Sequence, residues 1–82
     1  MSELREGLAR TVGETWHEVL GIDGIGPDDD FFDLGGDSMV AARLSALLEE
    51  RLGIDVPLLT VFDNPTVAQL TAELESAHAD RN

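Results

Sequence analysis

Three stretches of this chain carry apolar side chains at intervals of three and four residues, and segments rich in glycine or proline separate them. That spacing gathers the apolar groups of each stretch on one face of an α-helix. In residues 2–20 the stripe is Leu4, Leu8, Val12, Trp16, Val19 and Leu20, and Gly21 is placed to stop the helix. In residues 38–52 it is Val40, Leu44, Leu47, Leu48 and Leu52, with Asp37 as N-cap and Gly53 as the stop. The last helix has Val67, Leu70 and Leu74 on its stripe, follows a T-x-x-Q capping signature at Thr66 and Gln69, and is predicted to fray near Ala79. Between the second and last helices, Val56, Leu58, Val61 and Phe62 predict a short helix ending near Asp63. A strand is disfavoured there, because Pro57 and Pro65 leave little room and no other β-rich segment could pair with it. Every stripe needs another to cover it, so the expected fold is all-α: a small four-helix bundle with three long helices and one short one.

With 82 residues the chain is expected to form one small domain, its core running from about residue 4 to 76. It has no cysteine, so neither a disulfide framework nor a thiolate metal site can supplement the packing. Trp16 belongs to the first stripe and reads as a core anchor, whereas His17 lies off it and reads as a surface residue. Glu49 and Glu50, near the end of the second helix, oppose its dipole slightly.

Seventeen acidic side chains against five basic ones, all arginine, give a formal charge of −12. Such a surface repels the phosphate backbone of nucleic acids and anionic membrane leaflets; it serves either to keep copies apart in solution or to steer a basic protein partner, its natural complement. No early segment has the form of a secretory signal and no apolar run approaches the roughly 20 residues that span a bilayer, so a cytoplasmic monomer is expected.

The segment "GIDGIGPDDDFFDLGGD", residues 21–37, holds five glycines and a proline, yet Ile22, Ile25, Phe31, Phe32 and Leu34 are too apolar for a free linker. An ordered loop packed against the core is expected between the first two helices, with Asp28 available to cap a turn inside it. It ends at Ser38, at the mouth of the second helix.

Three kinds of chemistry are poorly matched there. A nucleophilic serine needs a base and a group to orient that base, but the histidines are His17 and His78, and "GDSMV" lacks the second glycine of a G-x-S-x-G elbow. The aspartates at 28, 29, 30, 33 and 37 fail the calcium-loop pattern twice, at Phe32 and at Asp33, so no metal site is expected and a solvated, helix-capping acidic turn is the better reading. "LGGDS" also lacks the lysine and glycine spacing of a nucleotide-binding loop. What remains is an anion-tolerant helix N-terminus, its attraction partly offset by Asp33 and Asp37. A phosphate at this place is better tethered covalently than held.

"DDDFFDLGGDSMVAARL", together with "GIDVPLLTVFDNPTVAQL" further on, resembles the carrier protein family, and within it the thiolation or peptidyl carrier domains of nonribosomal peptide synthetases. The similarity runs from about Leu4 to Leu74, and "FFDLGGDS" is similar to the family's attachment signature. The resemblance implies that Ser38, with Asp37 and Gly36 in its attachment motif, accepts a 4′-phosphopantetheine arm from coenzyme A. A separate phosphopantetheinyl transferase supplies the metal and the base. The arm's thiol then carries aminoacyl or acyl groups as thioesters between an adenylation enzyme and condensation or other tailoring enzymes of natural-product biosynthesis. The chain is thus expected to be a substrate of enzymes and to catalyse nothing itself.

Acyl carriers of fatty acid synthesis often present acidic groups on the helix after the serine, whereas this helix opens Met39, Val40, Ala41, Ala42 and Arg43 and has its first carboxylate at Glu49. An apolar, partly basic opening favours the peptidyl type over an acyl carrier of polyketide or fatty acid synthesis. Met39, Ala42 and Arg43 lie off the stripe and are expected to face partners; Leu59 joins them or else belongs to the core. Phe31, Leu34, Phe62 and Trp16 are assigned to packing. A start at Met1 and an end soon after the last helix suit a free-standing carrier, and abundant Ala, Arg and Gly without Lys suit a GC-rich bacterium. From a different class, a plain helical interaction module with Ser38 unmodified stays open.

Overall fold

The computed structural model describes the backbone of residues 2–80 and the side chains of residues 6–77. Four helices follow one another: α1 (Ser2–Leu20), α2 (Ser38–Leu52), α3 (Leu58–Asp63) and α4 (Val67–Asp80). α1 packs on both α2 and α4, and the short α3 closes the bundle between α2 and α4. The all-α expectation therefore holds, including the long loop between the first two helices.

The apolar stripes are what the bundle buries. Leu8, Val12 and Trp16 of α1, Leu44 and Leu48 of α2, Val61 of α3 and Leu70 and Leu74 of α4 form one core, joined by Phe31 and Val56 from the connecting segments. The side chain of Leu4 lies outside the described residues. On α2 the buried face is Ala41, Leu44, Ser45 and Leu48, while Val40, Leu47 and Leu52 are half-buried. The face is thus turned by about one residue from the predicted stripe. Ala41 and Ser45 are small enough to let the neighbouring chain come close, and hydropathy alone gives them little weight.

The helix ends follow local chemistry. α1 ends at Gly21, whose amide donates to the His17 carbonyl, and α2 ends at Gly53, whose amide donates to the Glu49 carbonyl. Both glycines have positive φ. At the start of α4 the Gln69 amide donates to Thr66 Oγ1 at 3.1 Å, the bond that the capping signature anticipates. The 21–37 loop is ordered because its own backbone is bonded to the α3–α4 junction. Phe31 N donates to the Pro65 carbonyl at 2.7 Å and Ala68 N to the Pro27 carbonyl at 3.0 Å. Inside the loop the capping carboxylates are Asp29, which accepts from Gly26 N, and Asp30, which accepts from Phe32 N and Asp33 N. They take the part that the sequence suggested for Asp28.

Polar links between helices were not visible in the stripes. Thr15 is fully buried; its hydroxyl donates to the Thr11 carbonyl and accepts from Arg51 Nη1 at 2.9 Å. The same guanidinium grips Glu18 with both arms, at 2.5 and 3.0 Å, so the last turn of α2 is fastened to α1. Glu49 does more than oppose a dipole, since its carboxylate accepts from the Val56 amide at 2.9 Å while Ser45 Oγ donates to the Val56 carbonyl. Together they fix the entry into α3.

The hydrogen bond from Arg51 holds the Glu18 carboxyl below the usual glutamate range. A lowered folded-state pKa adds stability that is complete above the unfolded glutamate pKa and is lost as pH falls through the lower folded value. The denaturation midpoints of wild type and Glu18→Gln should therefore differ by a constant amount near neutral pH and converge on acidification. Because both side chains are exposed, salt should narrow the gap as well. In contrast, Gly13 lies within α1, where an added Cβ meets nothing within 4 Å. Gly13→Ala should raise stability by about 0.5–1 kcal/mol in urea titration.

Candidate functional site

Ser38 is the first residue of α2 and is exposed. The side chain of Asp37, just before it, turns onto the helix: its Oδ1 accepts from the Val40 amide at 3.0 Å, and its carbonyl accepts from Ala41 N at 2.8 Å. The carboxylate is thereby engaged in capping. The amides of Ser38 and Met39 sit at the helix mouth, ahead of the first intrahelical bond. A phosphate ester on the serine would meet those amides, with the favourable end of the helix dipole behind them. The residues present fit a phosphate-linked group on Ser38.

The two glycines before Asp37 have separate duties. Gly35 has φ of +102°, a backbone conformation that other residues enter only with strain. Gly36 is required by contact. A Cβ built on it would lie closest to Phe31 Cε2, and only 2.5 Å from Cδ2 and 2.8 Å from Cζ of the same ring, so the flat of the ring rests on the Gly36 α-carbon. The ring is itself buried, edge-on to Trp16 with centroids 5.2 Å apart. The serine-bearing turn thus leans on the centre of the bundle.

Around Ser38 the exposed face continues along α2 and onto α3. Met39 is 82% exposed, and Ala42 and Arg43 are exposed as well. Leu59 is 66% exposed, which places it on the surface and not in the core. Two further apolar groups, Leu58 and Phe62, are also exposed, so the assignment of Phe62 to packing alone is corrected: it stacks on Phe32 with one side and meets solvent with the other. The signal was present in "LLTVFD". Four large apolar residues in six cannot all face inward from one short helix, and Val61 is the one that does. Phe31, Leu34 and Trp16 do pack as expected.

His17 is not arranged as a base for Ser38. Its Nδ1 is turned to the Ile22 carbonyl and to Asp23 Oδ1, 3.3 Å away, at the far end of the loop. The His78 side chain lies outside the described residues. Among the described residues, no group of three or more His, Asp or Glu side chains is placed to hold a metal ion.

Residues 10–74 match the family described as "phosphopantetheine attachment site". The chain belongs to that family. Its relatives include surfactin synthase subunit 3 of Bacillus subtilis, 40% identical over 76 residues. That match takes in 93% of this chain and 6% of the synthase subunit, so the carrier chain spans a small fraction of its synthetase relatives. In structure it superposes on BlmI, a type-II acyl carrier protein from Streptomyces verticillus involved in bleomycin biosynthesis, with a TM-score of 0.87 and 30% identity. That superposition covers 93% of this chain and 92% of BlmI. It also superposes on a peptidyl carrier protein solved in complex with the phosphopantetheine transferase Sfp and coenzyme A, with a TM-score of 0.79 and 30% identity over 84% of this chain and 90% of that one. The chain is accordingly a phosphopantetheine-binding carrier domain, homologous to the peptidyl carrier domains of nonribosomal peptide synthetases.

The Phe31–Gly36 contact leaves no room for a methyl group. Gly36→Ala should lower stability by about 1–3 kcal/mol, read from urea denaturation, and should shift the amide resonances of residues 31–38 more than those of α4. A wild-type midpoint for this variant would mean that the ring moves aside freely.

Proposed function

We propose that this chain is a peptidyl carrier protein in which Ser38 bears the 4′-phosphopantetheine group. The observation that carries the reading is the placement of Ser38: an exposed hydroxyl at the first position of α2, with the neighbouring carboxylate of Asp37 occupied by the Val40 amide. Such a hydroxyl has no base turned toward it among the described residues, and it is accessible to a catalyst that brings one. Ser38 Oγ bonds to the pantetheine-side phosphorus of coenzyme A as the pyrophosphate P–O bond breaks; the serine proton goes to a base of the transferase and adenosine 3′,5′-bisphosphate leaves. Asp37 holds the helix start in register, and Gly36 lets the turn approach Phe31. When attached, the group supplies a thiol on a long arm, which bears an aminoacyl or acyl cargo as a thioester. The chain itself catalyses no step of that chemistry.

The carrier domain is residues 1–82, with its core at about 4–76, acting in the cytoplasm as a monomer. Its partners are a phosphopantetheinyl transferase, an adenylation enzyme and condensation or tailoring enzymes, met through Met39, Ala42, Arg43 and Leu59. Exposure of all four supports this, as does the helix opening without a carboxylate. The likeness to BlmI keeps a second reading in view, an acyl carrier loaded by an acyltransferase or ketosynthase. Charging by an adenylating enzyme with an amino or aryl acid supports the peptidyl type; charging only by the acyl enzymes overturns it.

Incubation with coenzyme A and a broad-specificity phosphopantetheinyl transferase should add one 4′-phosphopantetheine mass to the intact protein. Ser38→Ala should abolish the addition and leave the helical circular dichroism unchanged. An unmodified wild type would favour a plain helical interaction module, and addition to the Ser38→Ala protein would assign the group to another residue.

A further inference from the structure

Two adjacent aromatic residues hold two adjacent glycines immediately ahead of Ser38. The Phe31 carbonyl accepts from the Gly36 amide at 3.0 Å and the Phe32 carbonyl from the Gly35 amide at 3.3 Å. Where each aromatic residue sits therefore sets where a glycine of the serine-bearing turn sits. The two are anchored on opposite sides. Phe31 is buried and edge-on to Trp16, so its position belongs to the bundle core. Phe32 is half-buried, edge-on to Phe31 with centroids 5.3 Å apart, and its outer anchor is Phe62 of α3, stacked at 5.5 Å with an angle of 13° between the rings.

α3 is the most lightly fastened of the four helices. It has six residues, one fully buried side chain in Val61, and an N-cap, Pro57, that makes no side-chain capping bond. The stack with Phe32 is its aromatic tie to the loop, and it ends in a ring that is 37% exposed. An exposed aromatic ring stacked on a loop aromatic is a contact that can be shifted by whatever moves the helix.

We infer that Phe62 is a positioning residue for Ser38, acting through its stack on Phe32 and the Phe32–Gly35 hydrogen bond to set the start of α2. The orientation of the serine then depends on where α3 lies, as well as on the core. The consequence for modification rests on the proposed role of Ser38, while the dependence of the turn on Phe62 does not. The effect of Phe62 is transmitted by the ring of Phe32, so a leucine of similar bulk cannot replace it and a tyrosine can.

The test is made on the full chain before modification. Amide hydrogen exchange at Gly35 and Gly36 and the amide resonance of Ser38 are followed by NMR, and kcat and KM for transfer from coenzyme A are then measured. Phe62→Leu should speed exchange at Gly35 by about 2- to 10-fold, the factor expected from loss of one aromatic pair, and should change exchange less at Gly36, which Phe31 holds from the core. It should also shift the Ser38 resonance and lower kcat more than it changes KM. Phe62→Tyr should match wild type. Leu59→Ala, on the same helix without a ring contact to the loop, should leave the glycine exchange unchanged. Phe32→Leu breaks the stack from the other side and should reproduce Phe62→Leu, which keeps the comparison decisive if either variant folds poorly. The inference is overturned if Phe62→Leu leaves Gly35 exchange and the Ser38 resonance as in wild type, if Phe62→Tyr behaves like the leucine variant, or if Leu59→Ala speeds Gly35 exchange equally. Absence of any transfer to the wild type would instead overturn the role given to Ser38, and the exchange data would still decide the role of Phe62.

Discussion

The ring of Phe31 lies where the side chain of residue 36 would begin, and that one contact connects the interior of the bundle to the place where chemistry is brought to it. On its other side the ring meets Trp16, and its backbone amide is bonded to Pro65 at the α3–α4 junction. One residue thus ties α1, the long loop, the α3–α4 junction and the mouth of α2. Interiors are packed closely enough that a ring held in this way hardly shifts without moving its neighbours. A serine mounted two residues from the loop's tightest point, at Gly36, is therefore presented at a defined place although its own side chain is free.

The far end of α2 is fixed by different forces. Arg51 bonds to Thr15 and Glu18 of α1, and Ser45 and Glu49 bond to the backbone of Val56. The packed ring of Phe31 with the loop's backbone hydrogen bonds locates the front of the helix, and side-chain hydrogen bonds locate its back. The helix that presents Ser38 is held as a rigid rod, while the face along Met39, Ala42 and Arg43 makes no demand on the core. This arrangement suits a protein whose reactions occur in the sites of others: a stable grip for the partner and an uncovered hydroxyl. The acidic surface adds repulsion between copies and attraction to basic partners, both weakened by salt.

α3 contrasts with α2. Its apolar composition exceeds what a short helix can bury, and the surplus is turned outward beside the serine-bearing helix. Exposed apolar groups of this kind are adaptable contact surface, and here they are attached through Phe62 to the loop that the serine follows. The same helix can contact a partner and bear on the serine.

Much of this was legible in the sequence, and the reason is local. Helix starts and stops depend on residues one to four positions apart, so Asp37, Thr66, Gly21 and Gly53 acted where their chemistry predicted. Stripes at helical spacing forced an all-α bundle, since no other arrangement buries them, and "FFDLGGDS" singles out Ser38 in the chain. What the sequence left undecided were contacts between residues far apart along the chain. The turn of the α2 face toward Ala41 and Ser45, the clasp of Arg51 on Glu18, the choice of Asp30 over Asp28 as cap and the outward side of Phe62 all depend on which surfaces meet. Periodicity says that a side chain needs a neighbour, and only the packed structure says which neighbour it finds.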